Sequence, residues 1–251
     1  RQMCIRDREE FAQSQVTMQN LKIKEQNEAA GAKGELSIRL PEGVTGDQIA
    51  VSNDYVTQTI RVEIPQADRT YFDSYPVLGN SDYIDGLSYT RQGEMGVIEV
   101  TTNKVYELQT EYDAQNFYFN FLTPHEVYDK VVVIDAGHGG RAVGANKQGI
   151  NEKDIDLAIV LKLKEIFDNS DQNIGVYYTR TDDSNPTFDQ RVQLANKSDA
   201  DLFISIHNNS TRSGRMSGTS GTQVMYDETS EASRQFAQIC LEAVSYTHLR
   251  A

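Results

Sequence analysis

Residues 131–140 read VVVIDAGHGG and residues 201–209 read DLFISIHNN. Each stretch is an apolar run that is followed by a histidine, His138 in the first and His207 in the second. The continuous run at 131–134 is typical of a strand that is buried on both faces of a sheet. In open α/β sheets, ligands bind beyond the carboxyl ends of the parallel strands. The two stretches therefore predict a sheet that delivers both histidines to one edge.

Predicted strands and helices alternate after residue 130. A helix is predicted over 152–167, because apolar residues recur there at spacings of three and four: Ile155, Ile159, Leu163 and Ile166. Further strands are predicted at IGVYYT (174–179) and GTQVMY (221–226), with helices opening at Pro186 and spanning 230–244. This alternation predicts an α/β domain over 130–251, with a mostly parallel sheet covered by helices on both faces.

The region before residue 123 shows a different pattern, of short alternating runs broken by turn residues. Examples are IRVEI (60–64) and NFYFNFL (116–122), and a hairpin is predicted around Asn103. Residues 35–123 are therefore interpreted as an all-β, sandwich-like domain that precedes the α/β domain. Residues 1–34 are rich in Gln, Glu, Asn and Lys, so we interpret them as a linker, a solvated helix or an artefactual segment.

Composition excludes several classes of function. A formal net charge of −13 argues against nucleic acid or an anionic membrane surface as the main partner. No run approaches the eighteen or so apolar residues of a membrane helix. Cys4 and Cys240 lack metal-ligand spacing, so no thiolate zinc site is indicated. The ends, MCIRDR (3–8) and VSYTHLRA (244–251), resemble translated adapter sequence, so we expect a longer natural protein and read nothing from the lack of a signal peptide.

Glu152 is the candidate third partner of the two histidines, because it begins a helix whose amino terminus lies at the same sheet edge. Two neutral imidazoles and one carboxylate match the ligands of a catalytic zinc, and the reaction implied is hydrolysis. Simpler readings stay open for each residue. A histidine after a strand is often satisfied within its loop, Glu152 suits the helix dipole, and GHGG could be an anion-binding turn without the lysine of a P-loop.

Residues 131–209 resemble the zinc-dependent N-acetylmuramoyl-L-alanine amidase family. The resemblance is carried, in the family's order and spacing, by VIDAGHGG, GANKQGINEKD, YYTRTDD, FDQRVQLAN and ADLFISIHNN. It implies that His138, Glu152 and His207 bind Zn²⁺. It also implies that the substrate is peptidoglycan, at the amide between the lactyl group of muramic acid and L-alanine. The expected location is extracytoplasmic, either in the cell envelope or secreted.

Other residues of these motifs have less defined roles. Arg180 and Arg191 are interpreted as structural, pairing with carboxylates such as Asp182 to hold loops. Asn208 and Asn209 could contact the substrate or order their loop. Either Asp135 or Asp154 is a candidate partner for the ring N–H of a ligand histidine.

The sequence departs from the family in two places. Ala142 stands where the family often has an acidic residue. The family's catalytic glutamate lies in a later strand motif, so the general base is expected beyond Ala251, and Glu228, Glu231 and Glu242 are not nominated for it. A positioned base contributes about 10²–10⁴-fold in rate. We therefore expect this chain to bind zinc but to hydrolyse peptidoglycan poorly.

The β domain resembles, more loosely, the AMIN-type modules that target such enzymes to the cell wall, through LSIRLPEG (36–43) and the stretch 54–72. A plain spacer is the alternative. Tyr71, Tyr75 and Tyr83 could stack on sugar rings or be ordinary strand residues. Two other functions stay open for the whole chain. One is a non-catalytic peptidoglycan-binding envelope protein that retains a zinc site, and the other is a zinc peptidase acting on stem peptides.

Overall fold

The computed structural model describes residues 19–22, 24–25, 33–210 and 221–248 and has a mixed α/β fold with several sheets. The strands are β1 Gln19–Asn20, β2 Lys24–Glu25, β3 Leu36–Arg39, β4 Ala50–Asp54, β5 Thr59–Pro65, β6 Leu78–Gly79, β7 Ile84–Gln92, β8 Met95–Thr102, β9 Glu107–Tyr112, β10 Asn116–Leu122, β11 Lys130–Ala136, β12 Asn146–Lys147, β13 Ile150–Asn151, β14 Ile174–Tyr178 and β15 Leu202–Ile206. The helices are α1 Arg69–Ser74, α2 Pro124–Val127, α3 Glu152–Asp168, α4 Phe188–Lys197 and α5 Glu231–His248, with a 3₁₀ turn at Gly46–Gln48.

The first ten strands form two five-stranded sheets, in the orders β1-β7-β8-β5-β4 and β2-β6-β3-β10-β9. Alternate residues of β5 and β10 are buried, as the sequence pattern predicts. Buried residues from both sheets belong to one hydrophobic cluster, which includes Val62 of β5 and Phe119 of β10. One shared core therefore holds the two sheets together.

The hairpin predicted around Asn103 is wrong. Strand β8 belongs to the first sheet and β9 to the second, where β9 pairs with β10. The chain crosses between the sheets at Asn103, whose N–H donates to the Tyr83 carbonyl and whose side-chain amide donates to the Asp82 carbonyl. The local pattern marked the turn correctly, but it could not show that the next strand pairs elsewhere.

Part of the 1–34 segment also differs from the predicted linker or solvated helix. Strand β1 pairs with β7, β2 pairs with β6, and Leu21 packs against the shared core. Backbone groups make these edge pairings, so a polar composition does not reveal them. Residues 1–18, 23 and 26–32, with Cys4 among them, lie outside the described residues.

The third sheet has the order β14-β11-β15, and both of its pairings are parallel. Residues of the central strand β11 alternate between two clusters. Val131 and Val133 pack with Leu194 of α4, whereas Ile134 and Ala136 pack with Val160 of α3. Helices α3 and α4 therefore cover opposite faces of β11.

The predicted helices agree with the structure, whereas the last predicted strand does not. Helix α3 ends one residue beyond its predicted end, and α5 occupies the last predicted helix. Helix α4 begins at Phe188 rather than Pro186, because the Thr187 hydroxyl accepts from the Gln190 N–H and caps it. The strand predicted at 221–226 is wrong, since these described residues form no strand and Met225 is 90% exposed.

The chain divides into two compact units, 1–208 and 209–251. Within the first unit, Tyr55, Val56 and Val105 of the β region pack in one cluster with residues of β11, β14 and α4. Among the described residues, no helix combines the length and the apolarity needed to cross a membrane.

Candidate metal centre

His138, Glu152 and His207 come together at one edge of the third sheet. Strands β11 and β15 are parallel neighbours with Ala136 opposite Ile206, so the chain leaves both strands at the same edge. His207 directly follows β15, His138 lies two residues beyond β11, and Glu152 is the first residue of α3. The ring centroids of the two histidines are 4.9 Å apart at an interplanar angle of 85°.

The donor atoms of the three side chains converge on one point. Oε1 of Glu152 lies 3.2 Å from Nε2 of His138 and 3.1 Å from Nδ1 of His207. Tetrahedral ligands at about 2.1 Å from a zinc ion would lie roughly 3.4 Å from one another. The chemistry and spacing of this donor set therefore fit a divalent metal ion, and the cluster can hold one.

Glu152 is held as a carboxylate beneath the two imidazoles. Its Oε2 accepts a 2.7 Å hydrogen bond from the N–H of Ala145, and its Oε1 accepts a 2.9 Å bond from the N–H of Asn208. Burial acts to raise the pKa of Glu152, but these two N–H groups, followed by His207 and His138, hold that pKa below its usual value. Metal binding requires a deprotonated ligand, and this environment supplies one.

Asp156 is a fourth member of the cluster that sequence reasoning missed. One ligand atom of each of the four side chains lies within 4.8 Å of every other. Asp156 is fully buried, and its Oδ1 accepts from the Asn208 side-chain amide at 2.7 Å. Within the described part of the chain, its Oδ2 has no hydrogen-bond partner. Burial raises the pKa of its carboxyl. The available signal was its spacing of four residues from Glu152, which places both carboxylates on one face of α3.

Two glycines make room for these side chains. A Cβ atom on Gly137 would collide with the ring of His207. Gly144 has a φ of +68°, and a Cβ there would lie 2.6 Å from both Oε2 of Glu152 and Cδ2 of His138.

Two arginines clamp the GHGG loop, which carries His138 at a φ of +60°. Arg191 forms a buried ion pair with Asp135 and donates to the carbonyls of Ala136 and His138, at 2.8 and 2.7 Å. Arg180 donates to the Gly137 carbonyl at 2.6 Å. The predicted loop-holding role is confirmed.

The arginine partners differ from prediction in one respect. Arg180 contacts the backbone carbonyl of Asp182, not its carboxylate.

Lys153 adds a third cation to the same loop. Its ammonium group lies 2.7 Å from the Asp183 carboxylate and 3.0 Å from the Gly140 carbonyl. Asp183 also accepts from the Gly140 N–H. Ala142, which stands where the family often has an acidic residue, bonds to Gly139 through backbone groups alone.

The two aspartates proposed as histidine partners take other roles. Asp135 lies on the side of β11 that faces α4, as Val131 and Val133 do. Its carboxylate therefore pairs with Arg191 and accepts from the hydroxyls of Thr179 and Ser205. Asp154 lies two residues after Glu152 on α3, which is about 200° around the helix axis, so the two side chains point in different directions. The Asp154 carboxylate accepts from the Asn151 side-chain amide instead.

The remaining candidates are placed as follows. Asn208 donates to Glu152 through its backbone and to Asp156 through its side chain, while the Asn209 amide donates to Gln223 at 3.0 Å. Glu231 pairs with Arg234, and Glu242 accepts from Gln238. Within the described parts of the chain, the metal-binding group contains no carboxylate besides Glu152 and Asp156.

Comparison with known proteins gives consistent matches. Residues 132–250 match the family model described as N-acetylmuramoyl-L-alanine amidase. The endolysin of Bacillus phage SPP1 is 45% identical over 86 residues, which cover 34% of this chain and 31% of that protein. The N-acetylmuramoyl-L-alanine amidase CwlM of Bacillus licheniformis is 41% identical over 78 residues, with 31% of each protein covered. The chain thus spans about a third of the length of these curated relatives.

A solved structure is also similar. It is the catalytic domain of CwlV, an N-acetylmuramoyl-L-alanine amidase from Bacillus (Paenibacillus) polymyxa var. colistinus. The match is 41% identical, covers 33% of this chain and 47% of that chain, and has a TM-score of 0.32.

Proposed function

We propose that the protein is a zinc-dependent peptidoglycan amidase, because residues 132–250 match the model of the N-acetylmuramoyl-L-alanine amidase family. The bond cleaved is the amide between the lactyl group of N-acetylmuramic acid and the L-alanine of the stem peptide. The observation that carries the zinc site is that Nε2 of His138 and Nδ1 of His207 both lie within 3.2 Å of Oε1 of Glu152.

The chain's own residues prepare the site for an amide substrate. A bound zinc supplies a Lewis acid for the carbonyl and lowers the pKa of water to roughly 7. The side chains of His138 and His207 are 29% and 45% exposed, whereas that of Glu152 is only 8% exposed. The substrate can therefore approach from the histidine side, while Glu152 stays fixed by the two N–H groups behind it. Asn208 and Asn209 remain the proposed substrate contacts.

The finer arrangement of the fold belongs to the same proposal. We interpret residues 35–123 as a sandwich-like, AMIN-like wall-targeting domain and residues 130–251 as the catalytic domain. The cell envelope or the extracellular space is the proposed location, with peptidoglycan as the partner. Tyr75 supports a sugar-binding role best of the three tyrosines, since it is 41% exposed. Tyr83 packs against Tyr106 and Phe121 and supports that role least.

The products formed from purified sacculi test the function. We would incubate the zinc-loaded protein with sacculi and identify new amino termini by mass spectrometry. Free stem peptides that begin with L-alanine are expected, and His207→Ala should abolish them. The identity of the products decides the question. Fragments cut within the stem peptide would indicate a zinc peptidase instead. Binding to sacculi without any product would indicate a non-catalytic wall-binding protein.

A further inference from the structure

Asp156 is a buried carboxylate that the proposed function does not use. It lies one turn beyond Glu152 on α3, its side chain is fully buried, and its Oδ2 has no hydrogen-bond partner among the residues that the structure describes. Burying a charged group without a partner is unfavourable for folding. Such a group therefore indicates a ligand that compensates for its burial.

The surroundings of Asp156 show where that ligand would be. One of its carboxylate oxygens lies within 4.8 Å of the donor atoms of His138, Glu152 and His207. Two carboxylates this close repel each other at low local dielectric unless a cation lies between them. Asp156 is also linked to Glu152 through Asn208. Oδ1 of Asp156 accepts from the Asn208 side-chain amide, and the Asn208 backbone N–H donates to Oε1 of Glu152.

We propose that Asp156 is a positioning residue of the metal site. It supplies a second negative charge to the bound divalent cation and, through Asn208, fixes the orientation of Glu152. This inference rests on the proposed metal-dependent function. An ordinary structural aspartate that only anchors Asn208 is the competing explanation.

Asp156→Asn separates the two explanations. Asparagine has nearly the same volume and keeps a carbonyl oxygen that can accept from Asn208, but it removes the charge. Asp154→Asn is the matched control, because Asp154 lies on the same helix turn and bonds to Asn151 rather than to the cluster. A purely structural role predicts little change in metal affinity for either variant.

The experiment is a zinc titration in competition with a chromophoric chelator, with thermal unfolding of each metal-free protein. We expect Asp156→Asn to bind zinc about 10–100-fold more weakly than the parent, and Asp154→Asn to bind it normally. The melting temperature of metal-free Asp156→Asn should equal or exceed that of the parent, since repulsion from Glu152 is removed. Unchanged zinc affinity, or a lower melting temperature, would overturn the inference. A parent that binds no zinc would instead overturn the proposed function.

Discussion

At the scale of single residues, the metal centre is crowded, and Gly144 occupies its tightest position. A side chain there would touch both His138 and Glu152. Gly149, on the same loop, offers a comparison, because its φ of +81° is also left-handed but no atom of the described residues lies within 4 Å of a Cβ built on it. The two glycines therefore share the backbone requirement and differ only in what surrounds them.

Gly144→Ala should weaken zinc binding at least about 10-fold, because the new methyl group displaces two ligands, whereas Gly149→Ala should bind zinc like the parent. Both variants should lose about 1–2 kcal/mol of stability, since alanine is strained in the left-handed region. Chelator competition and urea unfolding measure the two effects. Equal zinc affinities for the two variants would show that the space beside Gly144 is irrelevant to the site.

The three proposed ligands could be identified from the sequence because topology brings them together. The carboxyl ends of two parallel strands and the amino terminus of a helix meet at one sheet edge whatever the side-chain details are. The partners of Asp135 and Asp154 depend on which way each side chain points, and there the prediction was wrong. Asp156 was missed although its spacing from Glu152 was visible, because it lies one turn inside α3 and not at the end of a strand or helix.

At the scale of elements, the GHGG loop depends on Arg191 of α4. The guanidinium pairs with buried Asp135 and binds the carbonyls of Ala136 and His138. A network of this kind fixes a loop whose histidine has a positive φ, which is unfavourable for a residue other than glycine.

Arg191→Met should destabilise the protein by about 3–5 kcal/mol, because it leaves the Asp135 carboxylate buried without its cation. Arg234→Met is the control, since Arg234 pairs with Glu231 on the exposed surface of α5 and such pairs contribute about 1 kcal/mol or less. Urea unfolding of both variants gives the comparison. If Arg191→Met does not fold, Arg191→Lys takes its place and should still lose more stability than Arg234→Met. A loss of stability no greater than that of Arg234→Met would contradict the claim that Arg191 holds the GHGG loop.

Elements were predicted better than their pairings. The apolar spacing and first-turn acids of α3 are local properties, and the helix lies within one residue of its predicted end. A strand, in contrast, exists only beside a partner that a local pattern does not specify. For this reason the hairpin at Asn103 and the strand at 221–226 were both predicted wrongly.

At the scale of the whole molecule, a partly buried junction joins the β region to the third sheet within the first unit. The hydroxyl of Tyr177 donates to Oε1 of Glu107 at 2.6 Å, and that of Tyr55 donates to Oε2 at 2.9 Å. Burial raises the pKa of both tyrosines, so both hydroxyls remain donors at neutral pH. Because of this junction, we expect that weakening the contact lowers the free energy of unfolding of both regions together.

Tyr177→Phe should lower stability by about 1–3 kcal/mol, because Glu107 loses a donor in a partly buried place. Its neighbour provides a matched control, since the Tyr178 hydroxyl is buried and finds no hydrogen-bond partner in the described ranges. Tyr178→Phe should therefore be neutral or slightly stabilising. Equal losses for the two variants in urea unfolding would mean that the Glu107 contact does not hold the junction.

The central claim is that His138, Glu152 and His207 form one zinc site, and zinc content tests it most directly. The purified protein is loaded with zinc, dialysed against metal-free buffer and analysed by atomic spectroscopy beside His207→Ala. We predict about one zinc per parent chain and almost none in the variant. A parent that retains no zinc, or a variant that retains as much as the parent, would contradict the account.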